Sequence, residues 1–390
     1  MKQVTIFYLS AFILANLTGC GVFSSLTGQI ATCSNTNAEK EVFTAAEWNV
    51  QAFFDGNETG NEYAEYREAT GWTIEKYQAR LTALSQAIPQ MFREDTGAGA
   101  DKTAVPDLIG FVELENSGIL ENLAHSALSG HGYFWTAFAN LPLSPLGIGF
   151  LSRFPFTDIR SHSITAGGNT APRPVLEVRV EPRGQPLVFL LCHWKSKLGN
   201  DDATEALRRA SARVIQRRLR ELKEAEPKTP VIIMGDLNEN HDEFYRRSGT
   251  SAAFLSALLP ANAGTAAMAA AMAANSSAAG EILVLTGEKP PRPLAFPQET
   301  FPHEVPALYS PWEGELSNGT FYFRGEWETI DHFLLSESLF DGAGWEYGAC
   351  RIANHAPFTT AEGFPNSYVP RTGRGLSDHL PLLLFLNFTR

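Results

Sequence analysis

The chain has 390 residues, of which 44% are hydrophobic and 19% are charged. These proportions are typical of a globular protein with ample material for a core. The formal net charge is −12, from 43 acidic and 31 basic residues. This balance excludes a protein that holds a long polyanion by net charge alone, so any nucleic-acid role has to rest on local positive residues and bound metal.

The beginning of the chain has the features of an export signal. One positive charge precedes an apolar stretch at residues 4–17, which is too short for a stable membrane span. The sequence Leu-Thr-Gly-Cys that ends at Cys20 resembles the bacterial lipobox, in which the cysteine is lipidated and becomes the new amino terminus. We therefore expect a signal peptide at residues 1–19, a membrane anchor on Cys20 and a flexible tether at residues 20–40. Ordinary signal cleavage beside a chance cysteine is the alternative, and a periplasmic and a cell-surface position are both open.

From residue 41 onward, short apolar strands alternate with helical segments. The first strand is predicted to end near Asn49 to Gln51, and a helix follows with Thr73 as its N-cap and Pro89 at its end. Further strands are predicted at residues 107–116, 132–137, 147–152, 175–180, 187–192 and 231–234, with strand character again at 320–336 and 379–388, and a long helix at 202–224. Gly235 is predicted to end its strand. The pattern indicates an α/β fold with sheets buried between helical layers.

Two features are predicted to lie outside the packed core. The arginines of the long helix are expected to form a solvated face paired with nearby glutamates, and they are Arg208, Arg209, Arg213, Arg217, Arg218 and Arg220. Residues 261–280 are rich in alanine and have no apolar stripe large enough to specify packing, so we expect a peripheral insertion there. Residues 41–390 are otherwise expected to form one domain.

Polar residues stand at the edges of the predicted strands. They are Asn49, Glu113, His193, Asp236, Asn238, Asp331, Asp378 and His379. Taken alone, an Asp-x-Asn sequence after a strand is more often a turn that bonds its own backbone, and a lone histidine is usually structural. Eight such residues, each at the edge of a credible strand, are difficult to explain as structural accidents.

Together these residue types support hydrolysis of a phosphoester. Glu113 is suited to bind Mg²⁺ or Mn²⁺, with Ca²⁺ as a further candidate, because hard cations take carboxylate ligands. Asp236 and Asn238 could orient and activate the attacking water and bind a phosphoryl oxygen. His193 and His379 could donate hydrogen bonds to the phosphate or move protons.

The same residues resemble the motifs of the endonuclease/exonuclease/phosphatase superfamily, the deoxyribonuclease I-like metal phosphoesterases, and they occur in its order along the chain. The matching pieces are Trp48-Asn49-Val50-Gln51, Val112-Glu113-Leu114-Glu115-Asn116, Gly149-Phe150-Leu151-Ser152-Arg153-Phe154-Pro155, His193-Trp194-Lys195-Ser196, Gly235-Asp236-Leu237-Asn238, Ile330-Asp331-His332-Phe333-Leu334-Leu335-Ser336 and Leu376-Ser377-Asp378-His379-Leu380-Pro381. The resemblance implies a four-layer α/β sandwich, in which two packed mixed β-sheets are flanked by helices and the site lies at one edge of the sheets.

The resemblance also implies a role for each residue. Asn49 and Glu113 would belong to the metal site, and Asp236 with Asn238 would handle the nucleophile and the phosphate. The remaining pairs follow the same resemblance: Asp331 would hydrogen-bond His193, and Asp378 would orient His379. Whether a histidine or Asp236 acts as the base stays open.

Two positions depart from the family pattern. Val112 stands where many members have Gln, and His332 stands where Tyr or Gln is frequent. The Val-Glu-x-Glu-Asn form, together with the lipoprotein signal, is more similar to the membrane-associated bacterial nuclease branch than to the DNA-repair enzymes.

These features predict a lipid-anchored, metal-dependent nuclease that cuts DNA, with RNA as a second substrate, and has little sequence preference. Arg153, Lys195 and Arg324 are close to motif residues in sequence and are candidates to bind the substrate phosphates. The alternatives are a sphingomyelinase-like phosphodiesterase of lipid head groups and a non-catalytic binding lipoprotein. For the lipid enzyme, a membrane-facing aromatic patch could be formed by residues that we otherwise expect in strands and core, namely Trp312, Phe321, Tyr322, Phe323 and Trp327. No protein partner is indicated.

Overall fold

The computed structural model describes residues 41–92, 105–142, 144–166, 168–197, 201–246, 253–259, 281–287 and 306–390. The predicted signal peptide, the tether and the Ala-rich segment at 261–280 lie outside these residues. The described helices are α1 (Ile74–Ala87), α2 (Ser117–His125), α3 (Asp201–Ala225) and α4 (Glu243–Arg246). The described strands are β1 (Val42–Phe53), β2 (Leu108–Leu114), β3 (Trp135–Ala139), β4 (Gly147–Ser152), β5 (Asp158–His162), β6 (Thr165–Ala166), β7 (Asn169–Thr170), β8 (Val175–Val180), β9 (Leu187–His193), β10 (Val231–Asp236), β11 (Phe254–Leu259), β12 (Ile282–Gly287), β13 (Ala307–Tyr309), β14 (Phe321–Phe323), β15 (Glu326–Glu328), β16 (Asp331–Leu335), β17 (Gly344–Ile352) and β18 (Leu382–Thr389). None of these helices is long and apolar enough to cross a membrane.

Most of the strands form two large mixed sheets. The first sheet has six strands in the order β17-β18-β1-β2-β4-β3, and the second has eight in the order β11-β12-β13-β16-β10-β9-β8-β5. β1 runs parallel to β2 and antiparallel to β18. β10 runs parallel to β9 and antiparallel to β16. Both sheets therefore combine the two kinds of pairing, as the resemblance implied.

The two sheets pack face to face and carry helices on their outer faces. Phe43 and Val112 of the first sheet belong to the same buried cluster as Leu191 and Met234 of the second. Successive residues of a strand point to opposite faces. The other face of the first sheet accordingly packs on α1 and α2, and the other face of the second packs on α3. This arrangement confirms the predicted four-layer α/β sandwich.

Most predicted elements are present with small shifts. α1 begins after its predicted N-cap, because the side chain of Thr73 accepts a hydrogen bond from the backbone N of Lys76 at 3.4 Å. The strands predicted at 147–152 and 175–180 match β4 and β8, whereas the strand predicted at 132–137 lies at Trp135–Ala139. The sequence patterns did not indicate α2, β5, β11, β12 or β17. α2 has only 9 residues, and β17 contains glycines, which weaken a strand pattern.

Part of the arginine face of α3 is buried, contrary to the prediction. Arg208 is fully buried and donates to the carboxylates of Glu205 and Glu239. Arg218 is largely buried and reaches Glu177 of β8. Helical periodicity shows which residues share a face, but a long side chain can reach an acidic partner on another element.

Glu177 connects α3 to the second sheet. Its carboxylate accepts hydrogen bonds from Nε and Nη2 of Arg218 at 2.7 and 2.8 Å, and it contacts Nε2 of His162 at 2.7 Å. Burial by itself raises the pKa of Glu177, but the bonds from His162 and Arg218 outweigh burial and lower the pKa to about 2. A carboxyl group whose pKa is lowered by folding stabilises the fold above its ordinary pKa. That contribution to stability is lost as the pH falls through the pKa that the group has in the folded protein.

We predict that acid unfolding of this chain depends on Glu177. As the pH falls from 4.5 to about 2, the wild-type chain loses up to about 3 kcal/mol of unfolding free energy at this group. Glu177→Gln is expected to lower the free energy of unfolding at neutral pH and to flatten its acid dependence, as measured by urea unfolding across this pH range. Glu224→Gln, at an exposed position of α3, is the control. Wild-type stability of Glu177→Gln at neutral pH would contradict the assignment.

Candidate active site

The carboxyl ends of the central parallel strands of both sheets meet at one edge of the sandwich. β1 carries Asn49 and β2 carries Glu113 near these ends, while β9 ends at His193 and β10 at Asp236. Nδ2 of Asn49 donates to Oε1 of Glu113 at 3.3 Å and to Oδ2 of Asp236 at 3.0 Å. Because Asp236 belongs to the second sheet, the Asn49 side chain links the two sheets at the site.

The end of β10 positions Asp236. The strand extends through Asp236, so the prediction that Gly235 ends it is wrong. Gly235 has a φ of +127°, and a Cβ at this position would lie 1.9 Å from the carbonyl oxygen of Cys192 on β9, so only glycine fits. Oδ1 of Asp236 accepts from the backbone N of Asn238 at 2.9 Å, while Oδ2 faces Asn49. The Asp-x-Asn sequence is therefore both a local turn and part of the site.

The backbone beside Asn49 and Glu113 adopts conformations that are rare for residues with a side chain. Gln51, Ala52 and Glu113 have φ values of +53°, +50° and +70°. The backbone N of Ala52 donates to Oε2 of Glu113 at 2.6 Å, and that of Gln51 donates to Oδ1 of Asn49 at 2.9 Å. Such conformations cost about 1–3 kcal/mol each and persist only where the surroundings enforce them. Here they aim two main-chain N–H groups at side chains of the site.

Arg80 of α1 enforces this backbone. Its guanidinium is buried and donates to the carbonyl oxygens of residues 50, 51 and 52 at 2.5, 2.7 and 3.1 Å. It also donates to the carbonyl oxygen of Leu376 at 3.4 Å, in the loop that leads to His379. The ring of Tyr368 covers it, with its centroid 3.8 Å from Cζ. One buried cation thus joins the chain after Asn49 to the chain before His379.

We predict that Arg80→Met lowers both stability and activity. The apolar side chain has a similar volume but leaves the carbonyl groups of residues 50–52 buried without a donor, which costs about 3 kcal/mol or more of unfolding free energy. Displacement of the site backbone is expected to lower kcat about 10²-fold for the phosphoester hydrolysis that the sequence predicts. Thermal unfolding and steady-state hydrolysis measure the two effects.

Lys76→Met is the matched control for this prediction. Lys76 lies on the same helix, is less buried, and donates to the carbonyl oxygen of Pro370 at 3.0 Å. Equal losses in the Arg80 and Lys76 variants would show that Arg80 has no special role at the site.

His379 is held by Asp331 and not by its neighbour Asp378. Nδ1 of His379 donates to Oδ2 of Asp331 at 2.7 Å, and Thr320 donates to the same oxygen at 2.5 Å. Oδ1 of Asp378 lies 4.0 Å from Nε2 of His379, which is too far for a hydrogen bond. The predicted pairings of Asp331 with His193 and of Asp378 with His379 are therefore wrong.

His193 lies on the other side of the site and has a different environment. Its Nε2 is 3.8 Å from Oε1 of Glu113 and 3.7 Å from Oδ2 of Asp236. Its Nδ1 has no hydrogen-bond partner among the residues that the structure describes. Burial disfavours the charged ring and Arg173 adds nearby positive charge, so the pKa of His193 lies well below its ordinary value. His193 is therefore a neutral imidazole.

The carboxylates of the site shift the pKa values of their neighbours. Asp331 lies opposite Asp236 in the register of β10 and β16. Burial and the charge of Asp331 raise the pKa of Asp236 to about 7. Burial disfavours the charged form of His379, but Asp331 and other carboxylates outweigh it, so the pKa of His379 lies well above its ordinary value. An imidazolium thus stands beside these carboxylates at neutral pH.

Glu47 is a site residue that the motifs did not indicate. It is fully buried, and neither carboxylate oxygen has a hydrogen-bond partner in the described part of the chain. Burial, followed by the charges of Asp331 and Asp236, raises the pKa of Glu47 well above its ordinary value, so the group is a neutral acid. Glu47 lies two positions before Asn49, and the period of two along a strand places both on the same face. This two-residue spacing from Asn49 is the feature of the sequence that could have identified Glu47 as a site residue.

Arg173 is a second residue that sequence reasoning missed. It precedes β8 and donates to the carbonyl oxygens of His193 and Trp194 at 3.1 and 3.3 Å. Its charge interacts with the carboxylates of Glu113 and Asp236. The sequence around it is an arginine between two prolines, which belongs to no motif piece.

Arg153 does not lie at the site, so its predicted contact with the substrate phosphate is wrong. It donates to Oδ1 of Asp107 at 3.0 Å, and Asp107 precedes β2. The register of β2 and β4 pairs Leu108 with Ser152, beside Arg153. Glu113 stands at the other end of β2, roughly 20 Å along the strand.

Lys195 and Arg324 are the other two residues predicted to bind the substrate phosphates, and they lie on different elements of the fold. Lys195 follows β9. Burial and the charge of Arg173 are the main causes that lower the pKa of His193, and the charge of Lys195 lowers it further. Arg324 stands in the turn of the hairpin that joins β14 to β15. The amide of Asn238 donates to the carbonyl oxygen of Trp194 at 3.2 Å. Cys20 lies outside the described residues.

The donor set suits a hard divalent cation. One candidate ligand atom from each of Asp236, Asp331 and His379 lies within 4.8 Å of the other two. Because His379 is protonated and bonded to Asp331, it does not offer a lone pair to a metal, and the carboxylate of Glu113 beside Asn49 is the ligand expected at this edge. Oδ1 of Asp331 is buried and has no hydrogen-bond partner in the residues for which the structure gives positions. Buried carboxylates of this kind favour a cation, and oxygen ligands match Mg²⁺ or Mn²⁺. Asn49 turns its nitrogen toward Glu113, and its role as a metal ligand stays a prediction.

The chain is similar to known proteins in sequence and in structure. A sequence profile described as the Endonuclease/Exonuclease/phosphatase family matches residues 44–257. No protein of curated function matches the chain in sequence. A D. rerio TDP2 humanized by 14 mutations is 15% identical with a TM-score of 0.47, over 89% of this chain and 100% of that one.

Two further solved structures are similar. The human Nocturnin catalytic domain is 14% identical with a TM-score of 0.47, over 90% of this chain and 96% of that one. An endonuclease/exonuclease/phosphatase family protein from Bacteroides thetaiotaomicron is 14% identical with a TM-score of 0.44, over 90% of this chain and 98% of that one. Identities this low carry no information about a substrate.

Proposed function

Since the chain belongs to the endonuclease/exonuclease/phosphatase family, we propose that it is a lipid-anchored, divalent-metal-dependent nuclease. It hydrolyses phosphodiester bonds of DNA, and of RNA as a second substrate, with little sequence preference. One observation carries the proposal: the Asp331–His379 pair lies beside Asp236 at the edge where Asn49 contacts Glu113. An acid, a base and a carboxylate for a cation are the groups that this hydrolysis needs.

The acid and the base are different residues. Asp236, with a pKa of about 7, takes a proton from a water that Asn238 helps to orient, and the water oxygen bonds to phosphorus. Nδ1 of His379 is occupied by Asp331, which leaves Nε2 to face the substrate. As the bond from phosphorus to the leaving oxygen breaks, the imidazolium of His379 donates its Nε2 proton to that oxygen.

The remaining residues bind and orient the phosphate. Glu113, with Asn49 beside it, would hold Mg²⁺ or Mn²⁺, which when bound neutralises charge on the phosphoryl oxygens. Neutral His193 faces the phosphate from the side of Glu113. Arg173 and Lys195 add positive charge next to His193.

The positive side chains of Arg173 and Lys195 favour a polynucleotide over a lipid head group as the substrate. A polynucleotide has further phosphates beside the scissile one, and positive side chains at the edge of the site can bind them. Since the whole chain has a net charge of −12, such binding has to be local.

We predict metal-dependent cleavage of nucleic acid by the full-length chain. Supercoiled plasmid, single-stranded DNA and RNA are incubated with Mg²⁺ or Mn²⁺ and with EDTA. His379→Ala is expected to lower kcat about 10²- to 10⁴-fold, because the leaving oxygen loses its acid. Glu113→Gln is expected to raise the concentration of Mg²⁺ or Mn²⁺ needed for half-maximal activity, because the cation loses a carboxylate ligand. Arg153→Ala is the matched control and is expected to keep wild-type activity, since Arg153 lies at the other end of β2.

Other results would replace the proposal. Cleavage that survives EDTA, or both substitutions, would remove the proposed mechanism. Intact nucleic acids together with head groups released from sphingomyelin vesicles would assign the chain to the lipid phosphodiesterases. Turnover of neither substrate class at any metal concentration would indicate a binding lipoprotein.

The second part of the proposal is a membrane anchor on lipidated Cys20. The Leu-Thr-Gly-Cys sequence at the end of the predicted export signal supports this anchor. We predict that Cys20→Ala releases the enzyme from the membrane fraction with its activity unchanged, because the acyl chains that hold it are lost. Fractionation and incorporation of labelled palmitate measure this effect. Palmitate labelling of the variant, or its retention in the membrane, would contradict lipidation at Cys20.

A further inference from the structure

The hairpin of β14 and β15 is anchored at the candidate active site. Thr320, which precedes β14, donates to Oδ2 of Asp331, and its carbonyl oxygen accepts from the backbone N of Leu380. Phe321 forms a β-bridge with His379. The base of the hairpin is therefore held by the Asp331–His379 pair and by the loop around it.

Aromatic rings are stacked outward from His379 along one face of this hairpin. The ring of Phe321 lies 4.5 Å from the imidazole, centroid to centroid, with the planes 19° apart. The ring of Phe323 lies 5.8 Å from that of Phe321, with the planes 15° apart. Phe323 is 39% exposed, so this aromatic stack of His379, Phe321 and Phe323 ends in solvent. Tyr322 points to the opposite face and packs on Phe364.

The tip of the hairpin holds a cation in a costly backbone conformation. Arg324 and Gly325 form the two-residue turn, with φ values of +51° and +93°. Asn or Gly usually occupies the first position of such a turn, because other residues are strained at positive φ. The guanidinium of Arg324 lies 5.0 Å from the ring centroid of Phe323. A strained arginine beside an exposed ring fits a ligand that has both negative charge and flat rings.

We propose that Phe323 and Arg324 form a subsite for a nucleotide next to the scissile phosphate in single-stranded nucleic acid, an inference that rests on the proposed nuclease function. The base stacks on Phe323 and its phosphate pairs with Arg324, so the strand follows the aromatic stack away from His379. Every base has a flat face, and such a subsite therefore accepts any sequence. In a duplex these faces are covered by neighbouring bases, so the subsite selects single strands.

The charge at the hairpin tip argues against insertion into a membrane. Arg324 and Glu326 flank Gly325, and Phe323 is the ring beside them. Charged side chains are costly in the apolar part of a bilayer. A hydrated polyanion with flat bases matches this surface better than lipid does.

Binding measured in EDTA separates the subsite from catalysis. The full chain carrying Cys20→Ala is titrated against a labelled short oligothymidine, and the Kd is taken from fluorescence anisotropy. Phe323→Ala is expected to raise the Kd about tenfold, as for the loss of one base stack. Phe323→Trp is expected to restore it, and an abasic strand is expected to remove the difference between wild type and Phe323→Ala. Phe134→Ala is the matched control, because Phe134 is 71% exposed and precedes β3 beside Ser152, away from the site.

Each result of this experiment has a distinct meaning. An equal Kd for Phe323→Ala and wild type overturns the subsite, whether or not the enzyme cleaves DNA. Phe323-dependent binding without metal-dependent cleavage supports the subsite and overturns the nuclease function. If Phe323→Ala instead loses binding to phosphatidylcholine–phosphatidylglycerol vesicles with the strand bound as before, the ring belongs to a membrane contact and the subsite is overturned.

Discussion

Buried carboxylates that face one another are the constraint on which this site depends. Asp236 and Asp331 lie opposite each other in the register of β10 and β16, and Glu47 interacts with both from β1. Burial and mutual repulsion raise the pKa values of Asp236 and Glu47, and the same carboxylates raise that of His379. The cluster is stable because protons occupy part of it. The charge of Glu113 also raises the pKa of Asp236, so a divalent cation held by Glu113 would favour loss of that proton, which links metal binding to pH.

A second constraint is the backbone that positions these side chains. The chain after Asn49 and the chain before His379 come from opposite ends of the sequence, and polar groups join them. Arg80 donates to carbonyl oxygens of both. Ser377 donates to the carbonyl oxygen of Asn49 at 2.6 Å and accepts from the backbone N of His379 at 3.1 Å. Trp48 donates to the carbonyl oxygen of His379 at 3.0 Å. Helix α1, which carries no motif residue, is therefore part of what makes the site rigid.

The sequence predicted which strands carry the site but not which side chains touch. Strand ends could be predicted because apolar runs stop where polar residues begin, and the carboxyl ends of neighbouring parallel strands lie together. The partners of individual side chains could not be predicted, because adjacent residues of an extended chain point in opposite directions. Asp378 is next to His379 in sequence, yet Asp331, 48 positions away, is its partner at 2.7 Å. Arg153 belongs to a matching motif piece and still lies at the far end of its sheet.

The environments of the two histidines explain why they could not exchange roles in the proposed reaction. His379 faces Asp331 and carries a proton, whereas His193 has Arg173 beside it and does not. Two titratable groups whose pKa values are driven apart in this way mark the acid and the neutral partner of a reaction. A symmetric pair of imidazoles, as the motifs alone imply, would leave the direction of proton transfer undefined. In the proposed reaction the direction follows from position: His379, the proposed proton source, lies on the side of β16 and β18, and the neutral ring of His193 lies on the side of β9, next to Glu113.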